Sequence, residues 1–264
     1  MLQMRPRLPM RLPGEKRKNG IIQLLQSMNN QNYKAPIGFA SGFVYRIFPQ
    51  VSNESIEACL NLGCGAFELH TNSSREDMDL AANLNKKELE KFEFTSFHFP
   101  KWKDKDEARR ILSQTRKLHE IFNFDAITVH ADLFMNDHDI FDSMDLPFSI
   151  ENMDTQKETG RTLEQMKEIM SGNNSAVTID VNHAMDNDPS FKLAQDLWDE
   201  FGPRVSHFHL SGLGEAKGSH LPLFKTGQNR LLDFMKGKNL PIIIESMCEN
   251  LEEAKKELEF IKNY

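Results

Sequence analysis

The sequence predicts a (β/α)₈ barrel, a single-domain TIM barrel, and three observations carry that prediction. The chain has 264 residues, close to the roughly 250 typical of such a barrel. From about residue 36, short apolar runs alternate with longer amphipathic stretches, the pattern of βα units laid into a parallel sheet. Eight such runs can be traced, and most finish on His, Glu or Asp, which a barrel would gather at its C-terminal mouth.

The eight expected strands are residues 37–43, 66–70, 94–98, 126–130, 147–151, 176–180, 205–209 and 241–245. Amphipathic stretches fall between them. Residues 54–62 follow Ser52 and Asn53 as N-cap candidates, and 76–84 follow Ser73 and Ser74. In 106–122, Ile111, Leu118 and Phe122 recur at helical spacing. Further helices are expected at 162–170, 190–201, 229–236 and 251–261, with Gly63, Gly172 and Gly202 at helix ends. An open doubly wound sheet is the competing architecture. It would normally carry a glycine-rich phosphate loop after the first strand, and residues 38–42, with Gly38 and Gly42, have the wrong spacing for one.

Composition excludes several function classes. At 39% hydrophobic and 27% charged residues the chain reads as an ordinary soluble globular protein. A net charge of −7 gives no basic footprint for nucleic acid or an anionic membrane, which weighs against both without removing a local basic rim. No apolar run approaches the roughly 18–20 residues that span a bilayer. Cys59, Cys64 and Cys248 form no CxxC pair, and their odd number suits a reducing compartment, so a cytoplasmic location is expected. The expected partner is a small molecule, and a homo-oligomer is compatible with every feature above.

Residues 1–35 stand apart. Arg5, Arg7, Arg11, Lys16, Arg17 and Lys18 face only Glu15, with Pro6, Pro9 and Pro13 interleaved. No apolar segment follows that would make a secretory signal. A disordered arm, a basic organellar leader and an extension upstream of a start nearer Met28 all fit. We expect a disordered or spurious extension, because a Pro-broken basic stretch cannot bury enough surface to fold. The barrel then occupies 36–264.

The chemistry lies at the strand ends. These read Glu68-Leu69-His70, Phe97-His98, Val129-His130, Ile150-Glu151, Ile179-Asp180, Phe208-His209 and Ile244-Glu245. Carboxylates packed close in a partly dry mouth repel one another, and a divalent cation removes that penalty while imidazoles add neutral ligands. Glu151, Asp180, His209 and Glu245 make an oxygen/nitrogen site for Zn²⁺ or Mn²⁺, with Mg²⁺ or Co²⁺ as alternatives. His98 and His130 make it more zinc-like and allow a second ion bridged by Glu151, so one or two ions are expected.

Asp180-Val181-Asn182-His183-Ala184 resembles the D-x-x-H-A that follows the sixth strand of the xylose isomerase-like barrels. Ile150-Glu151-Asn152, His209-Leu210-Ser211 and Ile244-Glu245-Ser246 match that superfamily's neighbouring strand ends over roughly residues 37–250. The superfamily holds sugar isomerases and epimerases together with endonuclease IV-type apurinic-site nucleases. Resemblance to the epimerases implies a divalent-metal isomerase or epimerase of a small polyhydroxy carbonyl compound. Glu151 and Glu245 would exchange a proton on opposite faces of a carbon through an enediolate, and His183 would contact substrate oxygens. Lys217 follows the seventh strand where the epimerases carry an Arg, and is assigned to substrate. Resemblance to the nucleases implies instead a zinc hydrolase of phosphate esters or abasic DNA. His98, His130, Glu151, Asp180, His183, His209, His220 and Glu245 then have counterparts among its ligands, while Gly218 replaces an Asp of the third metal. A metal-binding barrel without turnover is the third alternative.

Other polar residues are weighed singly. Glu68 and His220 are assigned to substrate, and His70 to a loop or helix cap. His207 is read as a buried barrel-layer residue, and His119 and His138 as unrelated to the site. Phe43, Phe99 and Trp102 are candidate pocket walls. The acidic run at 249–259 reads as a solvated helix face.

Overall fold

The computed structural model describes residues 34–141, 145–216 and 218–264. The expected basic extension at 1–35 therefore falls, but for its last two residues, outside the described residues. Ala35–Tyr264 forms one compact unit.

Eight parallel strands close into a barrel in chain order, and β8 pairs back onto β1. They are β1 (Ile37–Ala40), β2 (Ala66–His70), β3 (Phe94–His98), β4 (Ala126–His130), β5 (Phe148–Glu151), β6 (Ala176–Asp180), β7 (Val205–Leu210) and β8 (Ile242–Ile244). The first is shorter than its sequence suggests. After Ala40 the chain turns, with Phe43 N donating to Ala40 O and the Phe43 ring stacking on Phe39 at 4.5 Å.

Twelve α-helices lie among the described residues: α1 (Asn53–Asn61), α2 (Arg75–Ala82), α3 (Lys86–Leu89), α4 (Lys105–Phe122), α5 (Ala131–Asn136), α6 (His138–Phe141), α7 (Leu163–Met170), α8 (Val181–Asn187), α9 (Lys192–Phe201), α10 (Leu223–Thr226), α11 (Arg230–Met235) and α12 (Leu251–Lys262). Side-chain caps start many of them. Ser52, Ser74, Asp104, Thr162 and Asn250 each accept from the backbone N–H three residues on, a contact contributing about 1 kcal/mol. The apolar stripe of α4 (Ile111, Leu112, Leu118, Phe122) is buried. The helices that sequence reading missed, α3, α5, α6, α8 and α10, span four to seven residues, too few for a 3.6-residue period to show. None of the helices is long and apolar enough to cross a membrane.

Period-two alternation divides each strand between two environments. Phe67 packs on Phe92, Phe97 on Phe124, and Phe208 on Trp198 and Phe234, in the layer between strands and helices. The alternate residues point into the barrel and stack in layers. Ala40, Ala66, Phe94, Ala126 and Ile243 form an apolar cluster at its base. Glu68, Ser96, Thr128, Ser149, Thr178 and His207 form a middle layer that is polar and fully buried. Above it stand the His, Glu and Asp residues of the strand ends.

One reading changes with the fold. The acidic run is not uniformly solvated, because Glu257 on α12 is fully buried. It accepts from the backbone N–H groups of Leu223 (2.8 Å) and Phe224 (3.1 Å) at the start of α10, and from Ser246 Oγ (2.8 Å). The cysteines are all free and buried. Burial pushes the Cys248 thiol up to about 12, which keeps it protonated and unreactive at neutral pH.

Gly38 marks the tightest approach of β1 to β2: a Cβ there would lie 1.6 Å from the Ala66 carbonyl oxygen. Gly38→Ala is expected to cost about 3 kcal/mol or more, read by denaturant unfolding. Unchanged stability would contradict this strand register.

Candidate metal centre

Strand register builds the site. His70 pairs with His98, His130 with Glu151, and Asp180 with His209, so residues as far apart in the chain as His70 and Glu245 meet at one end of the barrel. Three ligand sets result. The ligand atoms of Glu151, Asp180, His209 and Glu245 lie within 4.8 Å of one another, as do those of His98, His130 and Glu151, and, deeper in the barrel, those of Glu68, His98, His209 and Glu245. Glu151 belongs to the first two, and its oxygens divide between them. Oε1 lies 3.0 Å from His209 Nδ1, whereas Oε2 lies 3.4 Å from both His98 Nε2 and His130 Nε2.

Glu245 stands just past β8. Its Oε1 is 3.2 Å from His209 Nδ1 and its Oε2 is 3.4 Å from His220 Nδ1. Asp180 caps α8, with Oδ1 accepting from His183 N at 2.8 Å. Asn152 ties the ends of β5 and β6 together: its Oδ1 accepts from Asp180 N (2.8 Å) and its Nδ2 donates to Asp180 O (3.0 Å). His183 Nδ1 donates to Asn152 O at 2.9 Å, leaving Nε2 as the free ring nitrogen.

Whether these residues suit a cation can be tested on their unpaired atoms. Glu151 Oε2 and Asp180 Oδ2 are buried and have no hydrogen-bond partner among the described residues. An unpaired buried carboxylate oxygen is costly, and a cation satisfies it directly. The donor set of carboxylate oxygens and imidazole nitrogens fits a divalent transition metal.

The titration behaviour agrees. Burial alone would raise the Glu151 carboxyl, but His209, His98 and His130 hold it well below the usual carboxylate range. Burial pushes Asp180 up to about 7, the Glu245 and Glu151 charges adding to burial and His183 opposing it. For His209, burial is outweighed by Glu68, Glu245 and Glu151, which raise it well above the ordinary imidazole value. Burial lowers His130 strongly, keeping its lone pair available near neutral pH. A cluster that holds protons on Asp180 and His209 at neutrality would release them on binding a cation.

A cavity of about 750 Å³ opens over these groups. His183 and His220 line it with their rings 5.9 Å apart, next to Gly218 and the loop residues Asp154, Gln156 and Lys157. Phe99 forms a wall, as expected. Phe43 and Trp102 do not line it: Phe43 is turned onto Phe39, and the Trp102 indole donates to Asp137 and packs on Phe99 and Phe141.

The structure thus brings together Glu151, Asp180, His209, Glu245, His98 and His130, with His183 and His220 at the rim. Lys217 lies outside the described residues. Glu68 is revised. It is fully buried beneath the cluster rather than facing the cavity, because its place on β2 is one layer below the mouth. His70 is also revised from loop or cap: it ends β2, lines the cavity, donates from Nε2 to Glu68 Oε1 at 2.8 Å and lies 4.2 Å from the His98 ring. Its two-residue spacing from Glu68 was the available signal. His207 is the buried layer residue expected. His119 and His138 lie on α4 and α6, outside the cavity lining. Asp154, Gln156, Lys101 and Lys157 were missed because they sit in βα loops with no periodic pattern.

No protein-family model matches the chain, and no curated protein matches its sequence. Solved structures do. Endonuclease IV from Thermus thermophilus superposes with a TM-score of 0.60 at 15% identity, over 80% of this chain and 92% of that one. The 3-keto-D-glucoside 4-epimerase of E. coli gives 0.59 at 14% identity, over 88% and 100%. The IOLI protein, solved with a bound zinc atom, gives 0.56 at 13%, over 86% and 98%. At these identities the likeness establishes the fold alone, the closed eight-stranded barrel that this chain shares with those structures.

Elemental analysis of protein purified without chelator is expected to give about two ions per chain, and His98→Ala/His130→Ala about one. A double variant that keeps both would contradict the shared role of Glu151.

Proposed function

We propose that this protein is a two-metal hydrolase of phosphate esters. The observation that supports it is the division of Glu151 between two ligand sets, His98 and His130 on one oxygen and His209 on the other. A pair of divalent ions held there would polarise phosphoryl oxygens and lower the pKa of water.

The chain's own residues fit this role. Glu151 is 1% exposed and its two oxygens face different histidines, so it anchors charge and is badly placed to carry a proton to and from a substrate carbon. His98 and His130 exceed what a one-metal isomerase needs. At the cavity wall, His183, His220, Gln156 and Lys157 offer donors for ester oxygens, with Lys157 held by Asp132. The cavity volume suits a small ester, and the net charge of −7 disfavours a long polyanion. Endonuclease IV, among the structural neighbours, lends weight to a phosphate ester as substrate. Free, buried thiols support a reducing compartment such as the cytoplasm.

The isomerase or epimerase reading retains one specific support. Glu151 and Glu245 both approach His209 Nδ1, at 3.0 and 3.2 Å, and both line the cavity, as an acid/base pair over one metal would. Sugar epimerases are also among the structural neighbours.

The two readings separate in one assay series. Zinc- or manganese-loaded protein is expected to release nitrophenol from bis(p-nitrophenyl) phosphate or p-nitrophenyl phosphate, and Glu151→Gln to lower that rate by more than about 100-fold. Incorporation of solvent deuterium into a ketohexose, with neither ester cleaved, would reject the hydrolase in favour of the isomerase.

A further inference from the structure

We infer that Glu68 is the positioning residue of the metal centre: it selects the His209 tautomer that turns Nδ1 toward the ions. The inference rests on the metal-centre reading above and needs no particular substrate.

The two nitrogens of His209 face different groups. Nδ1 lies 3.0 Å from Glu151 and 3.2 Å from Glu245, on the ligand side. Nε2 points down into the barrel, 3.3 Å from Glu68 and 3.2 Å from His207 Nε2. A neutral imidazole carries one N–H. On Nε2 it donates to the Glu68 carboxylate and leaves the Nδ1 lone pair for a cation. On Nδ1 it would donate to Glu151, blocking ligation, and the Nε2 lone pair would face a carboxylate. An anionic Glu68 favours the first arrangement by hydrogen bond and by charge.

The middle layer is built to keep Glu68 anionic and still. Oε2 accepts from Ser96 Oγ at 2.8 Å and Thr128 Oγ1 at 3.0 Å, and Oε1 accepts from His70 Nε2 at 2.8 Å. His207 shares the layer: its Nδ1 is 2.8 Å from Ser206 Oγ, and its Nε2 lies 3.2 Å from His209 Nε2 and 3.7 Å from Glu68 Oε2. Ser206 is steadied through Ser149 to Thr178, each step 2.7 Å. Small hydroxyl residues stand where barrel interiors usually carry bulky branched ones, and their donors converge on this carboxylate.

Glu68→Gln keeps the shape and removes the charge. Zinc titration with a competing chelator, without substrate, is expected to show two ions at saturation but affinity reduced about 10–100-fold. The visible spectrum of the cobalt-substituted protein should change. Ser96→Ala, which removes one donor to Glu68, should weaken zinc binding about fivefold and serves if the Gln variant fails to fold. Lowered thermal stability with unchanged zinc affinity and cobalt spectrum would overturn the inference and leave Glu68 a packing residue. Loss of one ion at saturation would also overturn it, making Glu68 a ligand. Wild-type protein that binds no zinc or cobalt would overturn this inference and the hydrolase together, whereas metal binding without ester cleavage would affect the hydrolase alone.

Discussion

Negative charge concentrated at one end of the barrel governs the rest of the molecule. Glu68, Glu151, Asp180 and Glu245 surround His209, and all but Glu245 are essentially sealed from solvent. Four carboxylates in that space are tolerable only if each meets a donor, an imidazolium or a cation. The protein supplies histidines from five strands, β2, β3, β4, β6 and β7, counting His183 just past β6, with His220 added from a loop. Two of their oxygens nevertheless have no protein donor among the described residues, and a cation would satisfy them.

This demand propagates through the barrel. An interior layer that must donate to Glu68 cannot be filled with Val, Ile and Leu, so hydroxyl residues and His207 occupy it. The stabilising apolar surface is displaced outward, where Phe67, Phe97 and Phe208 pack against helices and loops, each burial contributing roughly 2–3 kcal/mol. Only the base, around Phe94, keeps an apolar interior plug. Stability and chemistry are thus assigned to opposite faces of the same strands.

The βα connections divide in the same way. Those that carry site residues hold short helices anchored by the site itself. Asp180 caps α8 with one oxygen and offers the other to the centre, and Asn152 fastens β5 to β6 beneath it. On the far side of the cavity mouth, Glu257 reaches from α12 to hold the first amides of α10 and the Ser246 hydroxyl beside Glu245. A residue that reads as surface charge therefore steadies the strand end that carries Glu245.

Strand number, strand order and the identity of the converging residues were legible in the sequence, because period-two alternation and closure in chain order leave little freedom once eight βα units are recognised. Glu151, Asp180, His209, Glu245, His98 and His130 could be named from position alone, since each ends an apolar run. What tertiary structure decided was height and direction. Glu68 and His70 differ by one layer of a strand, and only the closed barrel shows that one is sealed below the centre while the other faces the cavity. The division of the Glu151 oxygens, the inward turn of His209 Nε2 and the burial of Glu257 depend on distances between residues far apart in the chain. No local pattern encodes them, because they arise from how eight strands are staggered around a common axis.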